Sequence, residues 1–185
     1  ITDDDAPSIK INSPIPSEVF AVSAPSFNVR ITDDYLNEDE MWYTLDGGLN
    51  NYTFTDNGTI DQLAWDALPN GTITLTFYAS DKPGNIGTAE VMIIKDFESP
   101  TINLNSPDSG DVFGVSAPSF NVRVTDDYID TMWYTLDGGL HNYTFTTNST
   151  VNQTAWDAMD NGAITLRFYA NDTLGHIGSA GVNII

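Results

Sequence analysis

The sequence predicts an all-β protein built as two tandem sandwich domains. Three observations carry this. The chain repeats itself with a period of about 90 residues. Apolar and polar residues alternate in short runs, as in half-buried strands. Turn residues interrupt those runs at the spacing of a sandwich.

The repeat is close. VSAPSFNVRITDDY, from Val22 to Tyr35, returns as VSAPSFNVRVTDDY from Val115 to Tyr128. MWYTLDGGL, from Met41 to Leu49, returns unchanged from Met132 to Leu140. Between these blocks the second copy is two residues shorter. AWDAL from Ala64 matches AWDAM from Ala155, and FYASDKPGNIG from Phe77 matches FYANDTLGHIG from Phe168. This period is too long for a solenoid repeat and suits a whole sandwich domain. The expected domains are residues 4–96 and 97–185. Ile1, Thr2 and Asp3 align with Ile94, Lys95 and Asp96. They read as the tail of a preceding module, and the chain as a two-module slice of a longer array.

Within the first copy each element has its own signal. Pro7, Pro14 and Pro16 flank a first strand, where proline suits a sheet edge. Phe27, Val29 and Ile31 alternate with polar residues. Tyr43 and Leu45 point to one face of the next strand, Trp42 and Thr44 to the other. Asp46-Gly47-Gly48 turns the chain into Tyr52-Thr53-Phe54. Asp61 to Leu68 has helical spacing but is long enough for only a turn or two. Ile73, Leu75, Phe77 and Ala79 mark a long strand. Gly84 to Gly87 make a hairpin turn into Ala89, Val91 and Ile93. Seven such strands per copy predict two immunoglobulin-like β-sandwich domains.

Composition narrows the partners. Six basic residues face 26 acidic ones, for a net charge of −20. That surface repels phosphates and anionic lipid, so nucleic acid is not expected as a partner. No apolar run is long enough to span a membrane, so this segment is expected not to insert in one. The chain has no cysteine. The absence of a disulfide between the sheets points to a prokaryotic module, or to one stabilised by core packing alone. Catalysis has no motif: there is no G-x-S-x-G, H-E-x-x-H or P-loop. His141 and His176 align with Asn50 and Asn85, so neither belongs to a repeated site. The protein is expected not to be an enzyme. Salt adaptation also explains acidity, but the abundance of Asn and Ile does not fit it.

The APSIKINSP segment, the MWYTLDGG strand and turn, and the closing G-x-I-x-L-x-F-Y-A-x-D-x-x-G hairpin also carry a resemblance. The chain resembles the tandem immunoglobulin-like and fibronectin-type-III-like modules of prokaryotic, especially archaeal, cell-surface and S-layer-type proteins. The resemblance implies an extracellular, cell-surface location. It implies a structural, spacer or adhesive role in a larger surface protein, with neighbouring modules of the same chain as partners and a surface protein or glycan as a further ligand. The alternatives are a dedicated carbohydrate- or protein-binding module, or an accessory domain of an extracellular enzyme.

Three candidate sites follow. The first is a Ca2+ site where the chain enters each module, stiffening the junction. Asp126, Asp127 and Asp172 with Asp96 and Glu98 would form one; Asp33, Asp34 and Asp81 with Asp3 and Asp5 the other. Ca2+ takes six to eight oxygen ligands, several of them carboxylates. The competing reading is local: Asp81 and Asp172 cap hairpin turns, and Asp33 and Asp34 open a solvated loop. The second is N-glycosylation at the sequons of Asn51, Asn57, Asn70, Asn142, Asn148, Asn152 and Asn171. The third is a sugar-stacking face of Trp42, Trp133 and the Tyr52/Tyr143 pair, against which stands ordinary packing. Trp65 and Trp156 are expected to plug one end of each sandwich. Arg30 and Arg123, common to both copies, are read as ion-pair partners beside the Asp-rich loop. An isopeptide bond is not expected, since Lys10 and Lys82 are not repeated and Lys95 is assigned to the linker.

Overall fold

In the computed structural model, residues 3–185 are described. Ile1 and Thr2, read above as part of a preceding module, lie outside them. The chain divides into two compact units between Phe97 and Glu98.

The first unit runs β1 (Ser8–Ser13), β2 (Val19–Phe20), β3 (Asn28–Thr32), β4 (Leu36–Thr44), β5 (Tyr52–Thr53), α1 (Gln62–Asp66), β6 (Gly71–Asp81) and β7 (Ile86–Lys95). β1 pairs with β3, and the second sheet has the order β2-β7-β6-β4-β5. All pairings are antiparallel except β2 with β7, where Val19 faces Ile94 in parallel. Pro14 and Pro16 lie between β1 and β2, where the chain leaves one sheet and joins the other. Neither strand has to supply a proline N–H to its ladder.

The inward parity of β3, β4, β6 and β7 makes the core. Phe27, Val29, Tyr43, Leu45, Leu75, Phe77, Val91 and Ile93 are buried together with Trp65. Phe27 sits at the centre of an aromatic group, 5.6 Å from Tyr43, 5.1 Å from Phe54 and 5.2 Å from Phe77. α1 begins where Asp61 accepts the Ala64 N–H at 2.8 Å, an N-cap that frees the helix from needing length. The Tyr43 hydroxyl accepts the Asp61 N–H at 2.8 Å and so pins the helix to β4.

The second unit repeats this plan as β8 (Thr101–Ser106), β9 (Asn121–Thr125), β10 (Ile129–Thr135), β11 (Tyr143–Thr144), α2 (Gln153–Asp157), β12 (Ile164–Asp172) and β13 (Ile177–Ile184). Its core repeats Phe120, Val122, Tyr134, Leu136, Leu166, Phe168, Val182 and Ile184. Two differences stand out. The two extra residues of the first copy are absorbed at one end of β4: Leu36 faces Asp81, but the next pair is Met41 with Ala79. In β10 the same bend lies between Ile129 and Thr131. The counterpart of β2 is held by the Phe113 N–H to Ile185 carbonyl bond at 2.7 Å and the Ile185 N–H to Asp111 carbonyl bond at 2.8 Å.

The structure departs from the sequence reading in two places. Thr44 and Thr135, assigned to the outer face, are buried. Their hydroxyls are satisfied by the following turn, which removes the cost of burying them. Lys95, assigned to the linker, is the last residue of β7 and is buried, continuing the inward parity of Val91 and Ile93.

Candidate functional site

β3 and the β6–β7 hairpin deliver their Asp residues to the end of the first unit where the chain comes in. The Lys82 N–H donates to the Tyr35 carbonyl at 2.9 Å, tying the loop after β3 to the hairpin. Asp81 Oδ1 accepts the N–H groups of Gly84 and Asn85, both at 2.6 Å. The Asn85 side-chain amide donates to Asp81 Oδ2 at 2.7 Å and to the Asp3 carbonyl at 2.8 Å. Asp33 Oδ1 accepts the Tyr35 N–H at 2.7 Å, and Asp3 Oδ1 accepts the Asp5 N–H at 3.1 Å.

Asp3, Asp33 and Asp81 thus converge, with carboxylate oxygens within 4.8 Å of one another. Asp5, Asp34 and Glu38 line the groove beside them. This donor set suits a hard divalent cation in kind: all oxygen, three carboxylates, and backbone carbonyls within reach. In number it is lean. Asp81 already accepts three hydrogen bonds, which leaves it about one lone pair for a metal, so water would have to complete the shell. Burial pushes the Asp81 carboxyl up, but the hydrogen bonds from Asn85 and Gly84 outweigh it and hold the group below its usual range.

The second unit repeats the local geometry with Asp126 and Asp172. Asp126 Oδ1 accepts the Tyr128 N–H at 2.7 Å, and Asp172 Oδ1 accepts from Leu174 and His176 at 2.8 and 2.9 Å. Asp127 is exposed, like Asp34. Asp96, the counterpart of Asp3, is the last residue but one of the first unit, and Glu98 opens the second.

Histidine and asparagine exchange at two matched positions, and the geometry explains why. The Asn50 amide donates to Asp46 Oδ2 at 2.7 Å; in the other copy His141 Nδ1 lies 2.7 Å from Asp137 Oδ2. His176 Nδ1 lies 2.6 Å from Asp172 Oδ2, where Asn85 makes the same contact with Asp81. The imidazole Nδ1 and the amide Nδ2 sit the same number of bonds from Cα, so either closes the loop. Each of these His–Asp contacts is an ion pair only when its imidazole is protonated. Arg30 and Arg123 are not in ion pairs. They lie on exposed positions of β3 and β9, facing Lys10 and Asn103 across the ladder. The expectation of an ion pair is corrected: strand parity turns both side chains away from the Asp-rich loop.

Hydrogen bonds hold the Asp46 carboxylate well below its usual range: first from the Asn50 amide, then Thr44, with the Asn50 and Leu49 N–H groups. For Asp137 the His141 N–H and imidazole lead, followed by Thr135. A depressed folded-state pKa adds stability above the unfolded value of about 3.9 and loses it as pH falls through the folded one. Neutralising the many other carboxylates relieves repulsion and acts the other way. The expected melting temperature therefore holds or rises from pH 7 to about 4 and falls below about 3. Asp46→Asn with Asp137→Asn should lower it at pH 7 and flatten that acid drop. A steady decline from pH 6 downwards, in a thermal scan by circular dichroism, would contradict this account.

The sequon asparagines fall into classes. Asn51 and Asn142, just before β5 and β11, are exposed, and their side chains make no hydrogen bond among the described residues. Asn57 and Asn148 each use Oδ1 to accept a strand N–H, from Val29 at 2.7 Å and Val122 at 2.8 Å. Asn70 accepts the Phe97 N–H at 2.9 Å, and Asn152 caps α2 through the Ala155 N–H at 3.0 Å. Asn171 spends its amide nitrogen on Asp130 at 3.2 Å.

The aromatic face is divided. Trp42 stacks on Tyr78 with centroids 5.2 Å apart, and Trp133 on Tyr169 at 5.3 Å, each a cross-strand pair. Tyr52 and Tyr143 instead stack on Tyr43 and Tyr134 at 5.3 and 5.4 Å against the core. Alternation puts them on the opposite face of the strand pair from the tryptophans, so the expected joint platform is corrected. Trp65 and Trp156 do close the ends of their sandwiches, with indole N–H bonds of 3.0 Å to Ala21 and Gly114. For Lys95, assigned to the linker, its parity with Ile93 is the signal that places it inward.

No helix among the described residues is long and apolar enough to cross a membrane. The sequence matches no protein-family model and no curated protein. Solved structures do match in shape. An I-band fragment of titin aligns with a TM-score of 0.57 at 11% identity over 97% of this chain, and an E-to-A variant of it with 0.58 at 10%. A bacterial ice-binding adhesin aligns with a TM-score of 0.50 at 15% identity over 98% of this chain. The chain spans 65% of the titin fragments and 64% of the adhesin chain, less than two thirds of each. With the strand order and the shared core, these likenesses establish the fold: each unit is an immunoglobulin-like β-sandwich.

Proposed function

We propose that the chain is a structural and adhesive segment of a larger extracellular surface protein of prokaryotic, archaeal type, such as a stalk, S-layer component or adhesin. One observation carries the reading. The two units repeat not only their cores but also several loop hydrogen bonds, as from Asn50 and His141 to Asp46 and Asp137, or from Gln62 and Gln153 to Val22 and Val115. A dedicated binding site would have made the loops of one copy diverge. Repeated, uniform modules instead supply length and resistance to proteolysis. The stacked Trp42–Tyr78 and Trp133–Tyr169 pairs spend ring faces on each other, which disfavours sugar stacking. A glycan array and pull-downs with the two-module chain are expected to retain no specific ligand; capture of one sugar class would replace this reading with a binding module.

Ca2+ at Asp3, Asp33 and Asp81 belongs to the same proposal. The ion would tie the incoming segment to the loop after β3 and to the last hairpin. The matched carboxylates Asp126, Asp127 and Asp172, with Asp96 and Glu98, extend the proposal to the second copy. Glycans at the exposed Asn51 and Asn142 would suit the same setting. Calorimetric titration is expected to show binding at millimolar Ca2+, with a melting temperature above that in EDTA and abolished by Asp33→Asn. Absence of any response removes calcium from the proposal and leaves the repeat role standing.

A further inference from the structure

Three successive residues fasten the exit of the first unit to three different segments. Lys95, the last residue of β7, is buried. Its ammonium donates to the carbonyls of Trp65 at 2.6 Å and Leu68 at 2.8 Å, and reaches that of Asp66 at 3.4 Å. It lies 5.4 Å from the centroid of the Trp65 ring and 5.3 Å from that of Phe97. A carbonyl at a helix end keeps a lone pair to spare, and the ammonium brings three donors. The result is a socket on α1: carbonyls on one wall, an indole face on the other. The Asp96 N–H donates to the Phe20 carbonyl at 2.8 Å, at the end of β2. The Phe97 N–H donates to Asn70 Oδ1 at 2.9 Å, just before β6.

These fastenings continue a strand pair laid out to resist sliding. β2 and β7 run parallel. The Ser17 N–H donates to the Met92 carbonyl at 2.8 Å and the Ile94 N–H to the Glu18 carbonyl at 2.9 Å, and the Asp96 bond follows. The start of β2 leads back through β1 to the chain entry, and the end of β7 leads to the exit. Tension between entry and exit therefore draws the two strands in opposite senses along their length. Evenly spaced bonds across a sliding pair share the load and yield together. Bonds opened from one end yield one at a time. Lys95 adds a second barrier. Its charge must leave its carbonyls and ring before water can replace them.

We infer that Lys95 and its socket form a tension clasp, through which load on the exit segment reaches α1 and the core instead of peeling β7 from its end. The inference deepens the structural role proposed above and rests on it for its purpose, because a module strung between others is pulled at both ends.

Single-molecule unfolding of the full chain at constant force tests it. The chain has no cysteine, so a pair of introduced ones sets the direction of pull. Asp4→Cys with Ser99→Cys loads the first unit from entry to exit. Leu49→Cys with Lys82→Cys, at two exposed turns, loads the same unit while leaving the exit slack. Lys95→Met keeps the apolar stem and removes the ammonium. It is expected to speed unfolding by roughly tenfold or more along the first direction, and by clearly less along the second. Asn70→Ala, at an exposed position, releases Phe97 without touching the core and is expected to show the same directional bias at smaller size. A merely structural lysine would speed unfolding equally in both directions. That result, or no acceleration along the first direction with either variant, would overturn the clasp and leave the repeat role standing. Capture of one sugar class on the glycan array would instead remove that role and leave the measured bias in place.

Discussion

Trp65→Ala is expected to destabilise the first unit by about 3–5 kcal/mol, the range for removing a fully buried tryptophan. Trp65 has no exposed surface and stands edge-on to Phe20 at 6.2 Å between ring centroids. Three losses combine. A large cavity opens under α1. The Ala21 carbonyl loses its 3.0 Å indole donor. The Lys95 ammonium is left beside a void without its ring. A unit of this size holds about 5–15 kcal/mol in all, so the variant sits near its unfolding threshold. Trp156→Ala is expected to destabilise the second unit in the same way, since that ring is also part of a buried core. Urea unfolding followed by circular dichroism tests both, as a shift in midpoint. A loss below about 1 kcal/mol for Trp65→Ala would mean the plug is not structural.

Gly87→Ala is expected to be the second most damaging change, for a different reason. Gly87 pairs with Ala79 in the β6–β7 ladder and is buried against the backbone of Pro7. A Cβ there would overlap the Pro7 carbonyl oxygen and lie 2.8 Å from its carbonyl carbon. Backbone cannot move aside as a flexible side chain can, so the segment from Asp3 to Pro7 must lift off. The Asn85 bonds to the carbonyls of Asp3 and Asp5 would go with it. Overpacking of this kind costs about 1–3 kcal/mol or more. Gly178 meets Pro100 in the same way, so Gly178→Ala should reproduce the effect in the second unit. Gly181→Ala is the control. Its nearest neighbour is the mobile Arg167 Nε at 3.3 Å, and the first copy carries Glu90 at the matching position. Hydrogen exchange should show lost protection in β1 for Gly87→Ala and none in β8 for Gly181→Ala. Unchanged protection in β1 would show that the segment tolerates the Cβ.

Most of the fold is legible from residue order. Strand parity alone identifies Phe27, Val29, Tyr43, Leu75, Phe77 and Ile93 as core, because alternation translates directly into inside and outside. The duplication itself announces two domains of one kind. What parity misjudges is a polar residue with a local solution: alternation places Thr44 opposite Tyr43 and Leu45, yet it is buried and its hydroxyl is engaged with Asp46 and Gly48 at 2.7 and 2.9 Å. Lys95, assigned to the linker, follows the parity of Ile93 inward and meets carbonyls about α1, 30 residues away in sequence.

The candidate site divides the same way. The sequence by itself determined which carboxylates recur, that Asp33 follows a strand and that Asp81 opens a hairpin turn, since these follow from the repeat and the turn chemistry. Only the tertiary structure decided that Asn85 bridges the segments of Asp3 and Asp81, and that the tryptophans and tyrosines of the strand pair face opposite ways. It alone decided that Trp65 has a lysine over it. The physical reason is range. Turns and parity are set by residues within a few positions, whereas convergence of carboxylates and the filling of a socket depend on contacts between segments far apart in the chain.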